Sequence, residues 1–245
     1  MKRNIRLWLL CGLLWLAQGV LARDQLVVVP TREGAHIAYW WMPTEGAQAT
    51  VLLLSGGTGG IGFKDGRPQS NNFLIRSRDL FRAEGLNVAL LGNPSDKRQL
   101  DDAWRTSEMH RTDVANVLQD IQRRGANQPV WLVGTSRGTV SAAALGIGLS
   151  PPPAGLVLTA SLTSFQLPTS VPRQAIDQIR VPVLVYHHRD DACRITPAQE
   201  AQWIVSGLKM PQSRSSGWWR GARTRRVILA MPCIGMASSA WRRKP

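Results

Sequence analysis

Acidic residues run out before the end of this chain. From Met210 onward there are eight Arg or Lys and no Asp or Glu. Lys2, Arg3 and Arg6 hold a further share of the net charge of +14, and the body between is close to balanced. No basic helix or aromatic–basic interleaving marks a binding face, so nucleic acid is not an expected partner. Long apolar runs are also scarce. Leu7 to Val20 is shorter than the ~20 residues a membrane span needs, and Gln18 lies within it. Cysteine is limited to Cys11, Cys193 and Cys233, and histidine to His36, His110, His187 and His188. No histidine follows His188, and no internal repeat is visible.

The first residues have the form of a leader. Lys2, Arg3 and Arg6 are a positive start, Leu7 to Val20 an apolar middle, and Val20-Leu21-Ala22 a cleavage segment. Leu10 precedes Cys11 where a lipid-attachment site needs a small residue. Residues 1–22 are therefore expected to be a signal peptide. The mature chain would begin near Arg23, in the periplasm or outside the cell, with no stable membrane span after cleavage. In that oxidising setting Cys193 and Cys233 could pair, if residues 212–245 are genuine.

The 245 residues, 44% of them apolar, suffice for one α/β domain and are too few for two ordinary ones. We expect that domain over 23–211 and a basic tail over 212–245. Gln25–Pro30 and His36–Met42 read as a hairpin turning at Arg32-Glu33-Gly34. Apolar strands are expected at Thr50–Leu54, Asn87–Leu91, Pro129–Val133, Ala154–Thr159 and Val181–Tyr186. Helices are expected over Phe73–Ala83, with Leu74, Ser77, Leu80 and Phe81 in phase, and over Glu108–Arg123, with Val114, Val117, Leu118 and Ile121 as its stripe. Two more fall at Arg137–Gly146 and Pro197–Leu208. Strands apolar on both faces, alternating with helices, mean a mainly parallel sheet covered on two sides.

Gly134-Thr135-Ser136-Arg137-Gly138 fits G-x-S-x-G, with a strand before it and a helix after it. The turn between them is too tight for side chains two residues either side of the serine. Ser136 is thereby strained and projects its hydroxyl above the sheet. Oxyanion donors are expected from the N–H of Arg137 and from the loop after the third strand, at Gly57 and Thr58. Gly57-Thr58-Gly59-Gly60-Ile61-Gly62 also matches G-x-G-x-x-G, but Lys64-Asp65-Gly66-Arg67-Pro68 follows where a dinucleotide site needs a helix. No cofactor is expected. The run His187-His188-Arg189-Asp190-Asp191 follows a strand and carries the acid, at Asp191 or alternatively Asp190. Its two histidines precede the acid and read as hydrogen-bonding residues. Adjacent residues on a strand point to opposite faces, so no metal site is expected there.

The glycine loop, the elbow at Ser136 and the loop at Asp191 together resemble the α/β-hydrolase superfamily. The likeness is to its exported bacterial members, of dienelactone-hydrolase and esterase type. It spans roughly Gln25 to Leu208. It implies a serine–histidine–acid triad acting on small acyl substrates such as esters and thioesters. Ser136 would be the nucleophile and Asp191 the acid.

The chain departs from that pattern at the third member, because the family's histidine follows the acid. The last strand and helix of the fold have no clean counterpart over 213–245. A shifted reading frame accounts for both. Starting at the third letter of the Met231 codon, the bases for Met231 to Ser238 allow Ala-Leu-His-Arg-His-Gly-Phe. A His-Gly pair near the C-terminus is where the family keeps its base. In the same frame, Gly217 to Ala222 allow Val-Val-Glu-Gly-Gly, a last strand and its turn. The expectation is a hydrolase by ancestry, impaired because its base is lost. The alternative is a non-catalytic exported binding protein on the same fold.

Overall fold

The computed structural model describes residues 23–64, 67–188, 191 and 193–209. The expected leader, the tail over 212–245 and Asp190 lie outside these residues, as does Cys233.

The chain opens with β1 (Gln25–Pro30), β2 (His36–Met42), β3 (Ala49–Leu54), β4 (Phe63–Lys64) and β5 (Arg67–Pro68). Next come α1 (Phe73–Arg76), α2 (Arg78–Ala83), β6 (Leu86–Pro94), α3 (Asp102–Arg105) and α4 (Glu108–Arg123). The last are β7 (Val130–Ser136), α5 (Gly138–Gly148), β8 (Gly155–Ser161), β9 (Val183–Tyr186) and α6 (Ala201–Gly207). Seven strands form one sheet in the order β1-β2-β6-β3-β7-β8-β9. The β1–β2 and β2–β6 pairs are antiparallel. The other four pairs are parallel.

Every residue of β3 is buried, which is why it reads as a continuous apolar run. Its alternation divides two cores. Leu52 and Leu54 join Val114, Val117 and Ile121 of α4, Ala142 and Leu145 of α5, and Ile204 of α6 on one face. Val51 and Leu53 join Leu74, Ile75 and Phe81 of α1 and α2 on the other. The sheet is mainly parallel and covered on both faces, as its sequence requires.

Three local expectations are corrected. The helix over 73–83 breaks at Ser77, whose N–H bonds the carbonyls of Phe73 and Leu74. The break brings Phe81 onto the sheet and leaves Leu80, expected in the apolar stripe, 56% exposed. The glycine-rich loop contains the small β4–β5 hairpin, in the register Phe63–Pro68 and Lys64–Arg67. The four-residue helix α3 was not anticipated. Its start is an Asp101 carboxylate accepting the Trp104 N–H at 2.7 Å, an N-cap that satisfies one free amide of the first turn.

Candidate active site

At the carboxyl end of β7 the backbone of Ser136 is left-handed, with φ 51°. L-residues rarely adopt this conformation, and it persists only where surrounding structure enforces it. The enforcement is steric. A Cβ on Gly134 would lie 2.6 Å from the Gly138 carbonyl oxygen, and one on Gly138 would overlap the carbonyl oxygen of Leu54. Thr139 locks the turn from behind. Its hydroxyl donates to the Ser136 carbonyl at 2.6 Å and accepts the Leu162 N–H at 3.1 Å. The serine is thus held at the sheet rim, at the start of α5, whose N-terminus favours developing negative charge.

The glycine loop after β3 lies against this turn. A Cβ on Gly56 would sit 2.9 Å from the Thr135 carbonyl oxygen and 3.0 Å from the Ser136 Cβ. Only glycine allows the two backbones so close. Gly57 follows with φ +60°, and the Gly59 N–H closes the turn on the Gly56 carbonyl at 3.2 Å. The Gly57 carbonyl accepts from Nη2 of Arg105 at 3.2 Å. In a trans peptide the N–H points opposite to the carbonyl, so the Thr58 amide faces away from the buried Arg105. Gly57 and Thr58 are exposed. After Gly62 the chain enters β4 and β5, and the next helix starts only at Phe73. The dinucleotide pattern therefore lacks the helix N-terminus it needs.

Arg137 caps α5 at φ −56°, ψ −23°. Its guanidinium pairs with Asp102 of α3 at 3.4 Å. Ser136, Arg137 and the Gly56–Thr58 loop are therefore brought together as the sequence pattern implies.

Asp191 lies beyond β9, two strands from β7 in the sheet. It accepts the Cys193 N–H at 3.0 Å and the Thr196 hydroxyl at 2.9 Å. Burial pushes this carboxyl up, but those two donors and His187 outweigh it and hold it below the usual carboxylate range. His187 Nε2 stands 3.2 Å from Asp191 Oδ2 and 2.8 Å from the Thr196 carbonyl oxygen. His187 is the hydrogen-bonding residue expected from its place before the acid. Among the described residues, no cluster of three His, Cys, Asp or Glu could hold a metal ion. None of their helices is long and apolar enough to cross a membrane.

Sequence reasoning missed Arg105 and its neighbour His110. Arg105 is 2% exposed and His110 1%. Burial lowers the Arg105 guanidinium to about 10, still protonated at neutral pH. Burial, then the Arg105 charge, lowers the His110 imidazole to about 3. Asp101-Asp102 ahead of Ala103-Trp104 signals a helix start there, but not that Arg105 is buried.

No protein-family model and no curated protein sequence matches this chain. Solved structures do. An esterase of Pyrococcus furiosus superposes with a TM-score of 0.57 at 14% identity, over 76% of this chain and 78% of its own. An alpha-beta serine hydrolase homologue from Coxiella burnetii gives 0.55 at 15% identity, over 77% and 83%. A serine hydrolase without lid from Xanthomonas campestris gives 0.54 at 16%, over 76% and 80%. At these identities the likeness is one of fold, and the chain has an α/β-hydrolase fold.

Proposed function

We propose that this α/β-hydrolase-fold chain is built to hydrolyse an acyl bond of a small ester or related compound. The observation that carries the reading is Ser136, held left-handed at the strand end with the Gly56 backbone against it. The fold shared with an esterase and two serine hydrolases supports it. Ser136 Oγ would attack the acyl carbon while a base takes its proton. The carbonyl electron pair would move onto oxygen, held by the N–H groups of Arg137 and of Gly57 or Thr58. Collapse would expel the alcohol, which takes the proton back, and water would release the acid from the acyl-serine by the same route. Asp191 would orient the imidazole that serves as base.

That imidazole should follow the acid, and no histidine follows Asp191 in the sequence. The proposed cause is the frame change upstream of Trp218. Among the described residues β9 pairs only with β8, which fits a sheet lacking its last strand. Phe165 and Trp203, 41% and 50% exposed and in edge contact at 6.1 Å, are apolar surface of the kind that the loss of such a unit would leave bare. Without a base, a properly formed oxyanion hole still leaves roughly 10³–10⁴-fold acceleration over water. We therefore propose weak activity in the chain as written, in a protein exported by its first 22 residues. The absent base supports a second reading, a non-catalytic binding protein on the same fold.

The test is hydrolysis of p-nitrophenyl butyrate by the given chain, a frame-repaired chain and the Ser136→Ala variant of each. The repaired chain should show Ser136-dependent turnover well above the given one. If it shows none on a panel of acyl esters, the hydrolase reading is wrong and the binding reading takes its place.

A further inference from the structure

A fully buried guanidinium needs a reason, because its desolvation is costly unless its donors are used. Arg105 uses all three nitrogens on neutral acceptors. Nε donates to the Leu100 carbonyl at 3.2 Å, Nη1 to the Ser141 hydroxyl at 3.1 Å and Nη2 to the Gly57 carbonyl at 3.2 Å. Leu100 in turn donates its N–H to the Thr58 carbonyl at 2.8 Å. Both carbonyls of the Gly57–Thr58 segment are therefore tied to the stretch that leads into and forms α3. Three residues earlier on the same short helix, Asp102 pairs with Arg137. One four-residue helix thus holds both the Gly57 carbonyl of the glycine loop and the side chain of the residue after Ser136.

We propose that α3 is the strap that positions the oxyanion hole, with Arg105 fixing the Gly57–Thr58 peptide and Asp102 fixing Arg137. This rests on the hydrolase reading. Arg105 is a positioning residue and touches no substrate. Its charge adds to its geometry. A cation hydrogen-bonded to a carbonyl polarises the whole peptide unit, making the Thr58 N–H on the far side a stronger donor. Its hydrogen bonds are charge-assisted, so the loop is held more firmly than a neutral side chain could hold it. A structural filler at this position would need only volume, and an apolar residue would supply that.

The experiment compares the full chain with its Arg105→Met, Arg105→Lys, Asp102→Asn and Ser136→Ala variants. Three quantities are read: kcat and KM for p-nitrophenyl butyrate, and the dissociation constant of phenylboronic acid, which forms a tetrahedral adduct at a serine hydroxyl. Far-UV circular dichroism at the assay temperature restricts the comparison to folded protein. Arg105→Met should lower the Ser136-dependent kcat by at least about tenfold and weaken boronate binding similarly, with KM nearly unchanged. Arg105→Lys should recover part of both, and Asp102→Asn should show a smaller loss of the same kind. If Arg105→Met does not fold, the Asp102→Asn and Arg105→Lys results decide. Folded variants with unaltered kcat and boronate affinity, or with a change in KM alone, would overturn the strap while leaving the hydrolase reading intact. A parent chain with neither Ser136-dependent turnover nor Ser136-dependent boronate binding would overturn both.

Discussion

The guanidinium of Arg32 reaches across from the β1–β2 turn to a fully buried carboxylate, Asp113 of α4, with Nε 2.8 Å from Oδ1. Asp113 also accepts the Thr31 hydroxyl at 2.7 Å. The same guanidinium pairs with Asp96 at 2.9 Å and lies 4.9 Å above the Trp104 ring. Arg32→Met would keep much of the stem but leave Asp113 as an unneutralised buried charge. The expected cost is about 3–5 kcal/mol, read as a lower urea midpoint. Asp113→Asn alongside Arg32→Met should recover part of it. A single Arg32→Met loss below ~1 kcal/mol, the range of exposed pairs, would contradict this assignment.

His110 makes the fold sensitive to acid. Its folded value near 3 lies far below the ordinary value of 6.5. The unfolded chain therefore takes up a proton that the folded chain refuses. The stability is fully present above about pH 6.5 and is lost as pH falls from there towards 3, at about 1.4 kcal/mol per pH unit. Asp191, Asp96 and Asp120 have lowered values and act at lower pH, because their stabilisation is lost only as pH falls through those values. Denaturant midpoints measured between pH 7 and 4.5 isolate the histidine. His110→Phe should flatten that slope, and an unchanged slope would show that His110 is protonated in the fold.

The elbow predicts intolerance at Gly56. Gly56→Ala places a methyl 3.0 Å from the Ser136 Cβ and 2.9 Å from the Thr135 carbonyl. The backbones must part by a few tenths of an ångström, at a cost of roughly 1–3 kcal/mol. Any Ser136-dependent turnover should fall with it. Gly34→Ala provides the contrast, because its Cβ would meet nothing within 4 Å, so the backbone strain at its φ of +68° should cost stability without lowering Ser136-dependent turnover. Equal losses of Ser136-dependent turnover in the two variants would argue against a steric effect at the elbow.

Asp191 is held by donors from three residues, and Asp191→Ala would leave the Thr196 hydroxyl and Cys193 N–H without their acceptor. The expected loss is about 1–3 kcal/mol, with faster amide exchange at Cys193. His187→Ala, which removes only one partner, should cost less. If it instead removes all Ser136-dependent turnover in the given chain, His187 is serving as the base, and the proposed loss of function at the tail is mistaken.

Local features carried much of this protein in its sequence. The hairpin at Gln25–Pro30 and His36–Met42 and the helix Glu108–Arg123 match their expected bounds, because turn chemistry and apolar periodicity act over a few neighbours. The elbow was legible for the same reason, since G-x-S-x-G records a clash that a side chain on Gly134 would make with Gly138, four residues on. Ser77 shows the limit. Periodicity placed Leu80 in an apolar stripe, but the sheet surface favours Ile75 and Phe81, and the helix broke to deliver them.

A mainly parallel sheet, a strained serine at its rim, an acid-bearing loop beyond it and the lack of a histidine after that loop can all be read along the chain. How the glycine loop is held, by contrast, comes only from the packed molecule. Nothing near Arg105 in the chain says that it will be buried, because its partners Gly57 and Ser141 are 48 and 36 residues away. A charge is driven into the interior only where distant carbonyls and hydroxyls converge to replace its water, and that convergence is a property of the packed sheet and helices.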